Sequence, residues 1–317
     1  METTTLGRTG LNVSVACLGC GGRSRLGQTT GASFAESVSL VEAALDAGVT
    51  IIDTAAAYGT EAIVGAAVKG RRDAVVISTK LTLGKEGAFG EGIIDGAEVG
   101  RRLHDSLAAL GTDYVDILHL HGVALDQYDH CYNELLPALL ACRDAGKVRF
   151  IGVTERFQVD PAHAMLERAL QDGAWDVVMV GLNFVNQTAL RSVLPSAEGR
   201  GVGTMCMFAV RGPLANAGAA RELIDALLKT GEVDRSMIDP DDPFGFVTAD
   251  GAATSLADAA YRFCRHSPGI DTILTGTGSK KHLEENLRSI AAGPLPSPVR
   301  ERLACIFGGV SSAVFGS

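Results

Sequence analysis

The chain has 317 residues, of which 46% are hydrophobic and 21% charged, and its formal net charge is −9. That size allows one large domain or two small ones, and the composition is that of a globular protein with a sizeable core. Lys and Arg never cluster beyond short runs, which argues against nucleic acid as a partner, and no apolar stretch is long enough to span a bilayer.

Seven cysteines are scattered along the chain, and Cys17 and Cys20 are the only close pair. No second pair or His cluster completes a metal site, so no metal is expected. Reduced thiols in a cytoplasmic protein are the expectation. The opening Met-Glu-Thr-Thr-Thr has neither the basic nor the apolar segment of a signal peptide.

Short apolar runs alternate with helical patterns. A strand is expected over residues 13–18, running into Gly19-Cys20-Gly21-Gly22. A helix follows over 33–47, with Ser33 as N-cap, Glu36 completing a capping box and Gly48 as the stop. Strand 49–53 precedes helix 61–69, and strand 75–80 precedes helix 98–110. Strand 114–120 is followed by helix 133–145. Strand 150–153 is followed by helix 161–170, with Pro161 in its first turn. Then come strand 177–181, helix 188–198, strand 203–208 and helix 219–229. Residues 230–251 read as a surface loop. Helix 255–266, strand 272–276 and helix 280–290 complete the order.

The strand runs are β-branched and apolar throughout, as in strands buried on both faces. Right-handed crossovers leave a closed (β/α)8 barrel or an open doubly wound sheet. Eight repetitions of one unit at this length favour a TIM-type barrel, one α/β domain over residues 1–317. No Gly-x-Gly-x-x-Gly opens the first unit in the dinucleotide-binding manner.

Three consecutive strand runs end in chemistry. Asp53 closes one, with Tyr58 in the loop beyond it; Lys80 closes the next, and His121 the third. A parallel barrel carries its active site at those strand ends. The four types suit hydride transfer to a carbonyl. Tyr58 would protonate the oxygen, and its ordinary pKa near ~10 would be lowered by the Lys80 ammonium. Asp53 would hold Lys80 charged, and His121 would donate a second hydrogen bond to the oxygen. In reverse, Tyr58 is the base on an alcohol.

Plainer readings exist for each. Asp53 could cap a loop, and Lys80 could be a surface lysine or the Schiff-base lysine of a barrel aldolase. His119 lies on the same strand side as His121 and reads as a packed interior histidine. His104, His130, His163 and His266 read as solvent or packing residues. Tyr128, Tyr132 and Trp175 could line a pocket or fill the core. The loop 84–96, with five glycines and Phe89, would lie over the barrel mouth as a lid or a plain connection.

Five ordered motifs resemble the aldo-keto reductases. They are Asp53-Thr54-Ala55-x-x-Tyr58-Gly59, Ser78-Thr79-Lys80, Asp113-Tyr114-Val115-Asp116-Ile117 with His121 beyond, Gly146-Lys147-Val148-Arg149-Phe150-Ile151-Gly152-Val153-Thr154, and the run from Gly276 to Leu287. The resemblance implies a (β/α)8 barrel, a catalytic tetrad of Asp53, Tyr58, Lys80 and His121, and a nicotinamide cofactor. That cofactor is usually NADPH/NADP, with NAD as the alternative. Thr277, Ser279, Glu285 and Asn286 fall where the family meets the 2′-phosphate and adenine, with Gly276 opening that loop. His282 stands where many members have Arg, and Lys280 or Lys281 would supply the charge instead. Thr154-Glu155 replaces the family's Ser-Asn, and Met179 its Gln, the groups that hold the nicotinamide carboxamide. Phe208 falls where an aromatic ring meets the nicotinamide and Arg211 near the pyrophosphate, and Gly22 and Asp53 are also expected among the cofactor contacts. Cys20 stands beside the ring or is a structural thiol.

The expected activity is reduction of an aldehyde or ketone. A sugar or other alcohol dehydrogenase working mainly in the oxidative direction is the alternative. A redox-sensing binding protein, like the channel-associated members of the family, is a third reading.

Overall fold

The computed structural model describes residues 1–85, 92–215, 217–239 and 241–312. A short antiparallel hairpin comes first, β1 (Thr3–Thr5) with β2 (Asn12–Ser14). Eight parallel strands follow: β3 (Ala16–Gly19), β4 (Ile51–Asp53), β5 (Val76–Thr82), β6 (Val115–Val123), β7 (Val148–Glu155), β8 (Val177–Gly181), β9 (Gly203–Met207) and β10 (Thr272–Thr275). They pair in sequence order, and β10 closes on β3. The expected single-domain (β/α)8 barrel is therefore the observed fold.

Strand burial follows the closure. Every residue of β4, β6, β8 and β9 is buried, because a closed parallel sheet has a packed interior on one face and helices on the other. Register sets which side chains meet inside. Asp53 pairs with Ser78, and Lys80 with His119.

Two helices have their ends set by capping residues. Ser33 accepts from the Glu36 backbone N–H, and the Glu36 carboxylate accepts from the Ser33 N–H, so the helix Phe34–Asp46 starts on a complete capping box. Asp95 caps the helix Gly96–Leu110, and Gly111 ends it in the left-handed region.

Four expectations shift. The first strand divides at Val15, because β2 pairs with β1 while β3 enters the barrel. Pro161 does not open a helix. The helix Ala164–Asp172 begins after His163, where the Asp160 carboxylate accepts from the N–H groups of Ala164 and Met165. The stretch 188–198 divides into the 3-10 turn Thr188–Leu190 and the helix Leu194–Gly199, with a proline at the start of the second. Residues 230–251 hold short turns at Arg235–Met237, Gly245–Thr248 and Ala249–Gly251.

The helix Ser297–Phe307 was not expected. Its buried face of Leu303, Ile306 and Phe307 is a helical spacing visible in the sequence. Among the described residues no helix is long and apolar enough to cross a membrane, no group of three or more His, Cys, Asp or Glu could hold a metal, and the seven cysteines are free.

Candidate active site

The C-terminal ends of β4, β5 and β6 bring the four expected side chains together. Asp53 ends β4 and is buried. Its Oδ1 accepts from Ser78 Oγ at 2.8 Å, and its Oδ2 from Lys80 Nζ at 2.5 Å. Lys80, 1% exposed, also donates to the Thr54 carbonyl at 2.9 Å. The β4 loop then makes a 3-10 turn, Ala56–Tyr58, ended by Gly59 in the left-handed region. This turn lays the phenol over Lys80, with Nζ 5.0 Å from the ring centre. Tyr58 Oη lies 3.3 Å from His121 Nε2, and the two rings meet edge-on.

The electrostatics of this group are set mainly by burial. Burial pulls the Lys80 ammonium down, but Asp53 and the hydrogen-bonded Tyr58 together hold it above the ordinary lysine range. Burial pushes the Asp53 carboxyl up against the pull of Lys80. Burial likewise pushes the Tyr58 phenol above its ordinary value, and the Lys80 charge opposes this without reversing it. This corrects the expectation of a lowered tyrosine, which counted the neighbouring charge and not the desolvation. Burial and the Lys80 charge lower His121 to about 3, so its imidazole is neutral across the working pH range.

His119 is buried in the barrel interior, and burial together with the Lys80 charge keeps it neutral as well. It packs in the interior, as expected. Trp175 and Tyr128 are buried against each other, with the indole N–H donating to the Tyr128 hydroxyl at 3.1 Å; they belong to the core. Burial pushes the Cys20 thiol up, which suits a structural thiol. Of the loop 84–96, Gly84 and Ile93 pair across its base, while residues 86–91 with Phe89 lie outside the described residues.

The remaining expected contacts lie along the same mouth, on β3, β7, β9 and β10. Gly22 is in the loop after β3, with φ +70. Thr154 on β7 is buried, and its Oγ1 accepts from the Gly122 N–H at 2.7 Å. Phe208 follows β9 with φ +68. That backbone state costs a bulky side chain on the order of 1–3 kcal/mol and points to a functional constraint. Arg211 lays its guanidinium over the Phe208 ring, 4.0 Å from the centre. Among the described residues its Nη1 is buried without a hydrogen-bond partner. Burial and a nearby Arg23 lower its pKa. Two guanidinium groups held together at a mouth form a cradle for an anion. Arg23 was missed in the sequence, where nothing ties the β3 loop to the β9 loop.

Gly276 and Thr277 follow β10, and Ser279 caps the helix Lys280–Ala291. Thr277 Oγ1 accepts from the Ser279 N–H at 3.0 Å. Lys280 donates to Ser39 Oγ at 2.8 Å, Lys281 faces Glu285 at 3.9 Å, and Asn286 donates to Thr275 Oγ1 at 3.0 Å. Lys281, His282 and Glu285 are exposed. Glu155 and Met179 are buried, and Glu155 is bonded within the protein.

A profile of the Aldo/keto reductase family matches residues 18–304. The chain is 28% identical over 299 residues to L-galactose dehydrogenase of Arabidopsis thaliana, covering 92% of this chain and 88% of that protein. It is 28% identical over 318 residues to a protein of Oryza sativa subsp. japonica named "Probable voltage-gated potassium channel subunit beta", covering 94% of each. In fold it is similar to an aldo-keto reductase from Bacillus halodurans, with a TM-score of 0.71 at 21% identity over 98% of this chain and 97% of that one. The chain belongs to the aldo/keto reductase family, whose members are NAD(P)H-dependent oxidoreductases.

Proposed function

We propose that the protein interconverts an aldehyde or ketone and the corresponding alcohol, with Tyr58 as the proton donor. One observation carries this reading. Tyr58 Oη and His121 Nε2 lie 3.3 Å apart at the mouth of the barrel, above a lysine tied to a buried carboxylate. A bound nicotinamide dinucleotide supplies the hydride in reduction and takes it up in oxidation. The carbonyl oxygen sits between Tyr58 and His121, and His121 as its Nε2–H tautomer donates to it. Tyr58 Oη gives its proton to that oxygen. Lys80 stabilises the phenolate left behind, and Asp53 keeps Lys80 charged and aimed. In oxidation the phenolate takes the proton back from the alcohol.

The residues at the mouth fit the cofactor. The buried, unpartnered Arg211 Nη1 and the neighbouring Arg23 suit its pyrophosphate. We assign Phe208 to the nicotinamide face, and Gly22, Asp53 and Thr154 to its surroundings. Gly276, Thr277, Ser279, Lys280, Glu285 and Asn286 are assigned to the adenosine end, where NADPH is the preferred cofactor. The substrate is a small molecule and the compartment cytoplasmic, in keeping with seven free cysteines.

The alternative is a sugar or other alcohol dehydrogenase. It is favoured by the near full-length similarity to L-galactose dehydrogenase. Steady-state rates with an aldehyde panel and a sugar panel decide the direction. The complete tetrad weighs against a pure sensor role.

Tyr58→Phe is expected to lower turnover by ~100- to 10,000-fold, while cofactor binding, read by quenching of protein fluorescence, stays at the wild-type level. Turnover retained in this variant removes Tyr58 as the proton donor. The same titration on the wild type is expected to show NADPH binding more tightly than NADH. Equal or tighter NADH binding removes the 2′-phosphate assignment of Thr277, Ser279 and Lys280.

A further inference from the structure

Lys80 is held by two acceptors, and one residue of β5 touches both of them. The Asp53 carboxylate accepts from Lys80 Nζ on Oδ2, at 2.5 Å, and from Ser78 Oγ on Oδ1, at 2.8 Å. The second acceptor is the Thr54 carbonyl, and the Thr54 N–H donates to the Ser78 carbonyl at 2.9 Å. Ser78, Asp53 and Lys80 are all buried. Ser78 and Lys80 stand two residues apart on β5, so both point to the barrel interior. The register sets Asp53 opposite Ser78. One carboxylate is thus shared between successive inward side chains of the neighbouring strand.

The other titratable groups around this pair do not take the place of Ser78. Burial keeps the Cys17 and Cys20 thiols of the β3 end protonated. His119 and His121 of β6 are neutral, through burial and the Lys80 charge. The Glu61 carboxyl accepts from Thr79 Oγ1 at 2.6 Å. That contact is on the outer face of β5, since Thr79 lies between the two inward residues. Tyr58 lies over the ammonium, with its ring centre 5.0 Å from Nζ. Among the described residues, the side chains that donate to the Asp53 carboxylate are Lys80 and Ser78.

A buried carboxylate stays charged only while its hydrogen bonds favour the anion. Burial already pushes the Asp53 carboxyl up, and Lys80 and Ser78 oppose that push. Without the Ser78 hydroxyl, Oδ1 is a buried acceptor with no side-chain donor. The proton between Lys80 Nζ and Asp53 Oδ2 then shifts toward the oxygen: an N–H bond breaks, an O–H bond forms, and the pair becomes neutral. A neutral pair has no positive charge to set against a phenolate on Tyr58. We infer that Ser78 is a positioning residue whose hydroxyl keeps the Asp53–Lys80 pair charged and in line beneath Tyr58. The inference rests on the proposed role of Tyr58 as the proton donor.

The test uses the full chain with Ser78→Ala, Ser78→Cys, Ser78→Thr and Tyr58→Phe. Single-turnover hydride transfer is followed against pH in both directions, which separates chemistry from release. In the wild type the alkaline limb reports the loss of the Tyr58 proton. In Ser78→Ala the phenolate is less supported, so the limb is expected about one pH unit higher. At a fixed pH on that limb, oxidation is then roughly tenfold slower. NADPH affinity is expected to stay within about twofold, because Ser78 lies deeper in the barrel than Lys80. Ser78→Thr keeps the hydroxyl and is expected to hold the limb near its wild-type position. Ser78→Cys, a weaker donor of similar size, is expected to fall between wild type and Ser78→Ala, and it serves should Ser78→Ala not fold.

A second measurement needs no turnover. The buried Lys80 ammonium is observed by lysine-selective heteronuclear NMR of the cofactor-free protein at neutral pH, and assigned by its loss in Lys80→Met. Ser78→Ala is expected to shift or abolish that signal, and Ser78→Thr to keep it. A wild-type alkaline limb in Ser78→Ala, or an unmoved ammonium signal, overturns the inference. An alkaline limb that survives in Tyr58→Phe overturns the proton-donor reading instead, and the ammonium signal alone then decides the role of Ser78.

Discussion

Tyr58 is held in place by a residue that has no side chain. A Cβ on Gly21 would come 2.6 Å from the Tyr58 ring, closer than carbon atoms approach without displacement. The phenol therefore lies directly on the backbone of the loop after β3. Gly21→Ala is expected to push the ring off its position and lower kcat by roughly 100-fold, the cost of about an ångström of misplacement. Far-UV circular dichroism should be unchanged. A variant with wild-type kcat would show that the phenol has slack in its seat. The sequence carried Tyr58, Lys80, Asp53 and His121 openly, because each stands at a fixed place in a strand-end pattern. Gly21 was hidden, since its role depends on a ring from a different loop. The tyrosine's raised pKa was hidden for the same reason, because desolvation is a property of the assembled pocket.

The β1–β2 hairpin works as an element on the opposite mouth of the barrel. Leu6, in its turn, is fully buried, and the neighbouring Arg8 N–H donates to the Gly201 carbonyl just before β9. Arg8 also donates to the Trp175 carbonyl ahead of β8, at 2.8 Å. The hairpin thus closes the N-terminal end of the strands and leaves the other end for chemistry. Leu6→Ala is expected to cost about 2–5 kcal/mol of stability, seen as a lower urea midpoint, with turnover at 25 °C unchanged. A loss of turnover in the folded variant would mean that the two mouths are coupled. Helices and strands with their own caps and periodicity, such as Phe34–Asp46 and β8, could be read locally. The hairpin and the helix 164–172 could not be bounded that way. The hairpin's three-residue strands are specified by what they cover, and the helix start is set by the Asp160 carboxylate rather than by Pro161.

At the scale of the whole molecule, the closed barrel holds neutral histidines that water would protonate. His121 is lowered to about 3, and His119 is lowered with it. The unfolded chain takes up their protons near the ordinary 6.5, so between pH 6.5 and 3 it binds more protons than the folded state, and stability falls as pH drops. From His121 alone the loss at pH 5 is about 2 kcal/mol relative to neutral pH. Urea midpoints at pH 7.5 and 5 should show it, and His121→Gln should reduce the difference. An equal difference in that variant would assign the acid sensitivity elsewhere. By itself the sequence determined the eight βα units, their order and the four reactive side chains, because period, caps and strand-end position are local and survive without neighbours. Only the tertiary structure decided that Glu155 is bonded within the protein, that Arg23 stands beside Arg211 and that the phenol is raised rather than lowered. These depend on burial and on contacts between distant loops, which exist only once the barrel has closed.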